Sequence, residues 1–189
     1  MSQLVLQRVY FPVISLGYGR RLGVWVRGCK RDCLGCISSE MRQYEGNPID
    51  VEEIINALPD GFTADGLTIS GGEPFDQAEG IAELVRWFIR NISSDVLIYT
   101  GYTEQELRNR KDKATDYLLA HIAVLVDGPY LEHANDGIGL RGSANQQIII
   151  YRFPERYRNA GQWTRQVQFV DNGESLIQIG IPPLKTKKL

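Results

Sequence analysis

The chain has 189 residues, 43% of them hydrophobic and 23% charged, with 21 Lys and Arg against 23 Asp and Glu and a formal net charge of −2. That length predicts one domain over residues 1–189, able to bury a core without disulfide or metal staples, and the charge balance asks for neither nucleic acid nor an anionic membrane as a partner. No apolar run approaches the roughly 20 residues of a spanning helix, and the opening MSQLVLQR lacks the basic-then-apolar layout of a signal peptide, so the expectation is a soluble, cytoplasmic protein.

In chain order, residues 4–13 and 22–27, rich in Val, Leu, Tyr and Trp, predict two strands. Asp50 with Glu53 three residues on predicts a helix start, and Pro59-Asp60-Gly61 turns the chain after about Leu58. Residues 66–70 predict a short strand. Asp76 is the expected cap of the next helix, whose Ile81, Leu84, Val85 and Phe88 recur at helical spacing. Residues 96–99 predict a strand, and Thr103 with Glu106 is a capping box that opens another helix. Residues 122–126 are apolar throughout and end at Asp127-Gly128-Pro129, as in a strand covered on both faces. Residues 147–151, 166–170 and 175–179 predict later strands, the last two joined by the turn signal Asp171-Asn172-Gly173.

Strands alternating with helices predict an α/β fold with a mainly parallel sheet and right-handed crossovers. A full eight-unit barrel takes about 250 residues, so the expected form is a partial, open β/α barrel, with an antiparallel edge at the C-terminus. Ligands gather at the carboxyl ends of such parallel strands. The loops after Arg27, Leu67-Thr68-Ile69, Ile98 and Val126 all fall at that end.

Three cysteines, Cys29, Cys33 and Cys36, are the only ones in the chain and form a C-x3-C-x2-C run. An odd, tightly clustered set argues against a disulfide framework and for metal ligation. Three thiolates are one short of a closed zinc site and one short of the set that saturates a cubane iron–sulfur cluster. An open coordination position is what catalytic metal sites keep. The spacing alone leaves three readings: a cluster with an open iron, a zinc site, or buried thiols that pack as small hydrophobes. A zinc site closed by histidine would have to recruit His121 or His133 from far along the chain.

The second motif is Ser70-Gly71-Gly72-Glu73-Pro74, between a predicted strand and a helix. Two glycines permit close backbone approach, Glu73 suits a ligand ammonium group, and Pro74 suits helix entry. Alone, this is equally a tight strand-to-helix turn, and no Gly-Lys-Ser/Thr follows to make it a phosphate loop.

Taken together, the two motifs resemble the radical S-adenosylmethionine (SAM) superfamily. That resemblance implies that Cys29, Cys33 and Cys36 hold a [4Fe–4S] cluster. It also implies that the remaining iron binds the amino and carboxylate groups of SAM, and that Gly71, Gly72, Glu73 and Pro74 hold the amino group. Further pieces extend it: Gly17-Tyr18-Gly19-Arg20-Arg21, Tyr99-Thr100-Gly101-Tyr102, Asp127-Gly128-Pro129-Tyr130, Arg141-Gly142-Ser143-Ala144-Asn145-Gln146 and Gly180-Ile181-Pro182. These look like the small activating enzymes of anaerobic ribonucleotide reductase, and they span nearly the whole chain. The chain departs from that family's pattern at Tyr18 and at Ile37-Ser38.

The resemblance implies a glycyl-radical-enzyme activase. The reduced cluster donates an electron to the sulfonium, and the resulting 5′-deoxyadenosyl radical takes a hydrogen atom from a glycine of a partner enzyme. The implied partners are a glycyl radical enzyme, foremost the large subunit of anaerobic ribonucleotide reductase, and a low-potential electron donor such as flavodoxin. The alternative is a radical SAM enzyme that acts on another peptide or a small molecule. Thr100 and Asp127 are candidate cofactor contacts, and Arg141 a candidate bidentate carboxylate ligand. Asn145 and Gln146 are expected to satisfy buried backbone groups, and Lys30 and Arg31 either offset cluster charge or form a solvated face. The histidines and Trp25, Trp87 and Trp163 are expected in packing roles, and Lys185-Thr186-Lys187-Lys188 as a solvated tail.

Overall fold

A computed structural model describes residues 2–171, 173 and 175–184. The predicted tail 185–188 and Asn172 of the predicted turn lie outside the described residues. The strands are β1 (Gln3–Leu4), β2 (Leu6–Val13), β3 (Arg21–Val26), β4 (Ile49–Asp50), β5 (Gly66–Gly71), β6 (Val96–Tyr99), β7 (Val124–Asp127), β8 (Gln147–Ile150), β9 (Val167–Asp171) and β10 (Leu176–Gly180). The helices are α1 (Val51–Asn56), α2 (Ala78–Asn91), α3 (Glu104–Arg110), α4 (Lys113–His121) and α5 (Pro154–Tyr157).

Six strands form one sheet in the order β2-β3-β5-β6-β7-β8. The four central strands are parallel, and β2 and β8 each pair antiparallel at an edge. The sheet is mainly parallel, as expected, but it does not close on itself. Two details differ from expectation. The N-terminal edge is antiparallel because the connection between Val13 and Arg21 is too short for a crossover, which takes a dozen or more residues. Toward the C-terminus the expected antiparallel edge is present but is made by β8 alone, whereas β9 and β10 pair with each other as a separate ribbon.

One face of the sheet is covered by helices. Val24, Val26, Ile69, Ile98 and Leu125 meet the α2 stripe of Ile81, Leu84, Val85 and Phe88, all buried. Each such side chain contributes roughly 1.5–3 kcal/mol on burial, and their 3.6-residue recurrence is why α2 is a helix at all. On the opposite face Trp25 packs with Val13, Leu16, Met41 and Ile179, which fixes the β9–β10 ribbon over the sheet. Gln168 of β9 completes the attachment. Its Oε1 accepts from the Ile14 N–H (2.9 Å) and its Nε2 donates to the Pro12 carbonyl (3.0 Å).

Asp76 is not the cap of α2. A single 3-10 turn over Pro74–Gln77 comes first, started by the Glu73 carboxylate accepting from the Phe75 N–H, and α2 begins at Ala78. Asp76 instead accepts from the hydroxyls of Tyr44 (3.1 Å) and Tyr102 (2.9 Å). The capping box at Thr103 and Glu106 is present as expected.

Candidate cofactor site

A cavity of about 450 Å³ opens where the carboxyl ends of β3, β5 and β6 meet the ribbon. Its wall includes Cys29, Cys33 and Cys36, the turn Gly71-Gly72-Glu73, Thr100 and Gly101, and Ile177 and Ile179 of β10. The cysteine loop leaves β3 and is pinned by backbone bonds, Gly28 N–H to the Met41 carbonyl (2.8 Å) and Cys29 N–H to that of Arg42 (2.9 Å). All three thiols are free and partly buried. Burial pushes the Cys29 and Cys36 thiols above their ordinary range, so metal binding there must displace protons.

The two glycines are required by the close approach of the two loops. Gly71 has φ of 108°, and a Cβ on it would lie 2.3 Å from the Val26 carbonyl oxygen; one on Gly72 would lie 2.2 Å from that of Gly28. The same approach allows the Gly72 and Glu73 N–H groups to donate to Val26 and Gly28 at 2.8 Å. The glycine turn is therefore bonded directly to the start of the cysteine loop.

Glu73 is fully buried. Its Oε1 accepts from the Phe75 N–H (3.0 Å) and the Thr100 hydroxyl (2.8 Å), and its Oε2 accepts from the Gly101 N–H (2.8 Å). A carboxylate offers about four acceptor sites, so Oε2 keeps capacity for one more donor. Desolvation raises its pKa to about 7 against the opposing pull of those three bonds. A buried carboxylate with spare acceptor capacity is what an ammonium ligand requires.

Among the described residues no three His, Cys, Asp or Glu side chains converge to hold a single metal ion. A mononuclear zinc site needs its ligands around one point at about 2.0–2.3 Å. A cubane is larger and takes each thiolate on its own iron. Three free thiols on one loop, facing one cavity beside Glu73, fit a group that takes three thiolates and leaves a fourth position open.

Residues 15–149 match the 4Fe-4S single cluster domain family. The anaerobic ribonucleoside-triphosphate reductase-activating protein of Haemophilus influenzae is 34% identical over 156 residues, which cover 76% of this chain and 96% of that protein. The proteins of the same name from Vibrio cholerae and Escherichia coli are 34% and 31% identical, over 76% and 74% of this chain and 96% and 94% of theirs. The chain belongs to this family of activating proteins.

The activating-protein resemblance singled out residues that the fold does not all bring together. Thr100 lines the cavity, but its hydroxyl is engaged, donating to Glu73 and accepting from the Tyr102 N–H (3.1 Å). Asp127 is buried away from the cavity wall; its carboxylate accepts from the Glu104 N–H (2.7 Å) at the start of α3 and from that of Gln147. Arg141 is also off the wall, paired with Asp136 at 3.0 Å. Gln146 lines the cavity and does satisfy backbone groups, accepting from Gly142 and Ser143 and donating to the Gly128 carbonyl. His121 stacks on Tyr117, and His133 is exposed in a 3-10 turn. Lys30 is exposed.

Sequence reasoning missed the role of Arg31. Its guanidinium lies 4.2 Å from the Tyr102 ring centre and donates to both oxygens of Glu106 at 2.9 Å. Arg110 covers Tyr102 as well, at 4.0 Å. These contacts tie the cysteine loop to the β6–α3 segment that holds Glu73. The only signal in the sequence was the placement of an arginine between two cysteines.

Proposed function

We propose that this protein is a radical SAM activase that installs a glycyl radical on a partner enzyme, the anaerobic ribonucleoside-triphosphate reductase. The observation that carries this reading is the convergence of Cys29, Cys33 and Cys36 with Gly71-Gly72-Glu73 on one cavity wall, in a chain of the activating-protein family. Cys29, Cys33 and Cys36 would hold the [4Fe–4S] cluster. Gly71, Gly72, Glu73 and Pro74 would hold the amino group of SAM, with the Oε2 of Glu73 as its acceptor and Thr100 fixing that carboxylate. When bound, the cluster supplies the electron that cleaves the SAM sulfonium, so that hydrogen is then taken from a glycine of the partner. The chain's own contribution is geometry and electrostatics. The Gly72 and Glu73 N–H bonds set the distance between the two loops, and residues of the ribbon form part of the cavity wall.

On this reading the open sheet is the wall of a partial β/α barrel, and residues 1–189 act as one domain. The protein works in the cytoplasm with a low-potential donor such as flavodoxin. No helix among the described residues is long and apolar enough to cross a membrane.

The test is anaerobic. The cluster-loaded protein, reductant and SAM should yield 5′-deoxyadenosine, and addition of the reductase should yield a glycine-centred doublet in the electron paramagnetic resonance spectrum. Cys33→Ala should abolish both. Undiminished 5′-deoxyadenosine from that variant would refute the ligand assignment, and a silent spectrum from an active wild-type cluster would refute the partner.

A further inference from the structure

The cavity continues past the cysteines along the face of the sheet. Arg8 of β2 stands opposite Trp25 of β3, and Trp25 is in register with Ser70 of β5. All three line the cavity, as does Tyr99 at the end of β6. Ile177 and Ile179 of the ribbon line the cavity too, packed in the cluster that contains Trp25. The floor is thus a cross-strand row that begins with a cation.

Among the described residues two arginines line the cavity, Arg8 and Arg31. Arg31 is committed to Glu106 and Tyr102. The side chain of Arg8, partly buried, has no ion pair, hydrogen bond or ring stack among the described residues. Two carboxylates line the same cavity, Glu73 and Glu40, and neither pairs with it. Among the described residues no Arg8 nitrogen is a buried unpartnered atom, so its fork of donors stays accessible to an incoming group. A carboxylate suits that fork best, because its two oxygens match the planar donors. The cavity therefore has an anionic end at Glu73 and an uncommitted cationic end at Arg8, with β3 between the strands that carry them.

We propose that Arg8 is a specificity-determining residue that binds a ligand carboxylate at the floor of the cavity. This rests on the activase reading for the identity of the ligands. Two sources supply the chemistry, the carboxylate of SAM and an acidic side chain of the partner polypeptide that enters the cavity.

The experiment compares cluster-loaded wild-type, Arg8→Gln and Arg8→Lys proteins. Equilibrium dialysis gives Kd for SAM and for decarboxylated SAM, and single-glycine activation assays give KM and kcat for the reductase. A charge-assisted bond lost on Arg8→Gln should weaken its ligand by about ten- to a hundredfold, with Arg8→Lys between the two because it loses the bidentate fork. If SAM is the source, Arg8→Gln weakens SAM and leaves decarboxylated SAM unchanged. If the partner is the source, both cofactor affinities hold while KM for the reductase rises at constant kcat. Equal weakening of SAM and its decarboxylated analogue would mark a structural role and overturn the proposal, as would constants all within about twofold of wild type. Wild-type SAM cleavage, measured in the same preparation, reports separately on the activase reading.

Discussion

Glu73 combines full burial with an ionisable group. Its pKa in the folded chain is raised to about 7 from 4.5, and desolvation is the largest cause. The folded state therefore binds the Glu73 proton more tightly than the unfolded state does. This contribution to stability is complete below about pH 4.5 and is lost as pH rises through 7. It amounts to roughly 3 kcal/mol, since each tenfold gain in proton affinity is worth about 1.4 kcal/mol. Urea unfolding of the metal-free chain under reducing conditions should show wild-type stability falling across pH 5–8. In Glu73→Gln the slope in that window should flatten. The glutamine oxygen can still accept from Phe75 and Thr100, but its amide N–H would face the Gly101 N–H, so the variant should also be less stable than wild type at pH 5. A wild-type slope retained in Glu73→Gln would show that another group titrates.

At the scale of elements, the cysteine loop and the β6–α3 segment act as a pair because Arg31 reaches between them. The Arg31 and Glu106 side chains are 22% and 49% exposed, and ion pairs of that kind contribute about 1 kcal/mol or less to global stability. Their effect is local. Arg31→Ala should leave the urea midpoint nearly unchanged yet speed amide hydrogen exchange across residues 29–36 several-fold, and lower the iron retained after desalting. Exchange in that loop indistinguishable from wild type would sink the idea. The same elements show what a sequence can and cannot disclose. The Thr103–Glu106 capping box was legible because both partners lie in one turn. The bond from Glu106 to Arg31 spans 75 positions and leaves no local pattern. Both site motifs were legible, since each is a short run with a chemical reason for its spacing. The closure of Thr100 and Gly101 onto Glu73 was not, because it depends on β5 and β6 being neighbours. Asp76 matched a helix cap by position, but two tyrosines distant in sequence claimed its oxygens. The antiparallel N-terminal edge could have been deduced from the short connection between Val13 and Arg21, a matter of reach rather than of residue type.

Across the whole molecule, the two ends of the sheet do different work. The carboxyl ends of the strands carry the cavity, and the amino ends carry a buried ionic lock. Arg21, the first residue of β3, has no exposed surface. It donates to Asp95 Oδ1 (3.1 Å), the Thr68 hydroxyl (2.6 Å), the Tyr157 hydroxyl (2.9 Å) and three backbone carbonyls, those of Tyr18, Leu67 and Asp95. Asp95, equally buried, also accepts from Arg156 (2.9 Å) and from the Tyr157 hydroxyl (2.7 Å). The lock thus joins β3, β5, the approach to β6 and α5, a four-residue helix whose Tyr157 ring also packs in the core with Leu97, Val124 and Val126. Removing one partner of a buried pair strands the other charge, which costs about 3–5 kcal/mol. Asp95→Ala should lose about that much in urea unfolding because Arg21 keeps its charge inside the protein. Tyr157→Phe, which deletes one hydroxyl and leaves both charges paired, should lose only about 1 kcal/mol. Since the lock lies at the amino ends of the strands and the cavity at their carboxyl ends, on the proposed activase function the folded fraction of either variant should bind SAM as the wild type does at a temperature well below its midpoint. A cost for Asp95→Ala no greater than that for Tyr157→Phe would mean that solvent reaches Arg21 and that the lock is not what fastens α5 to the sheet.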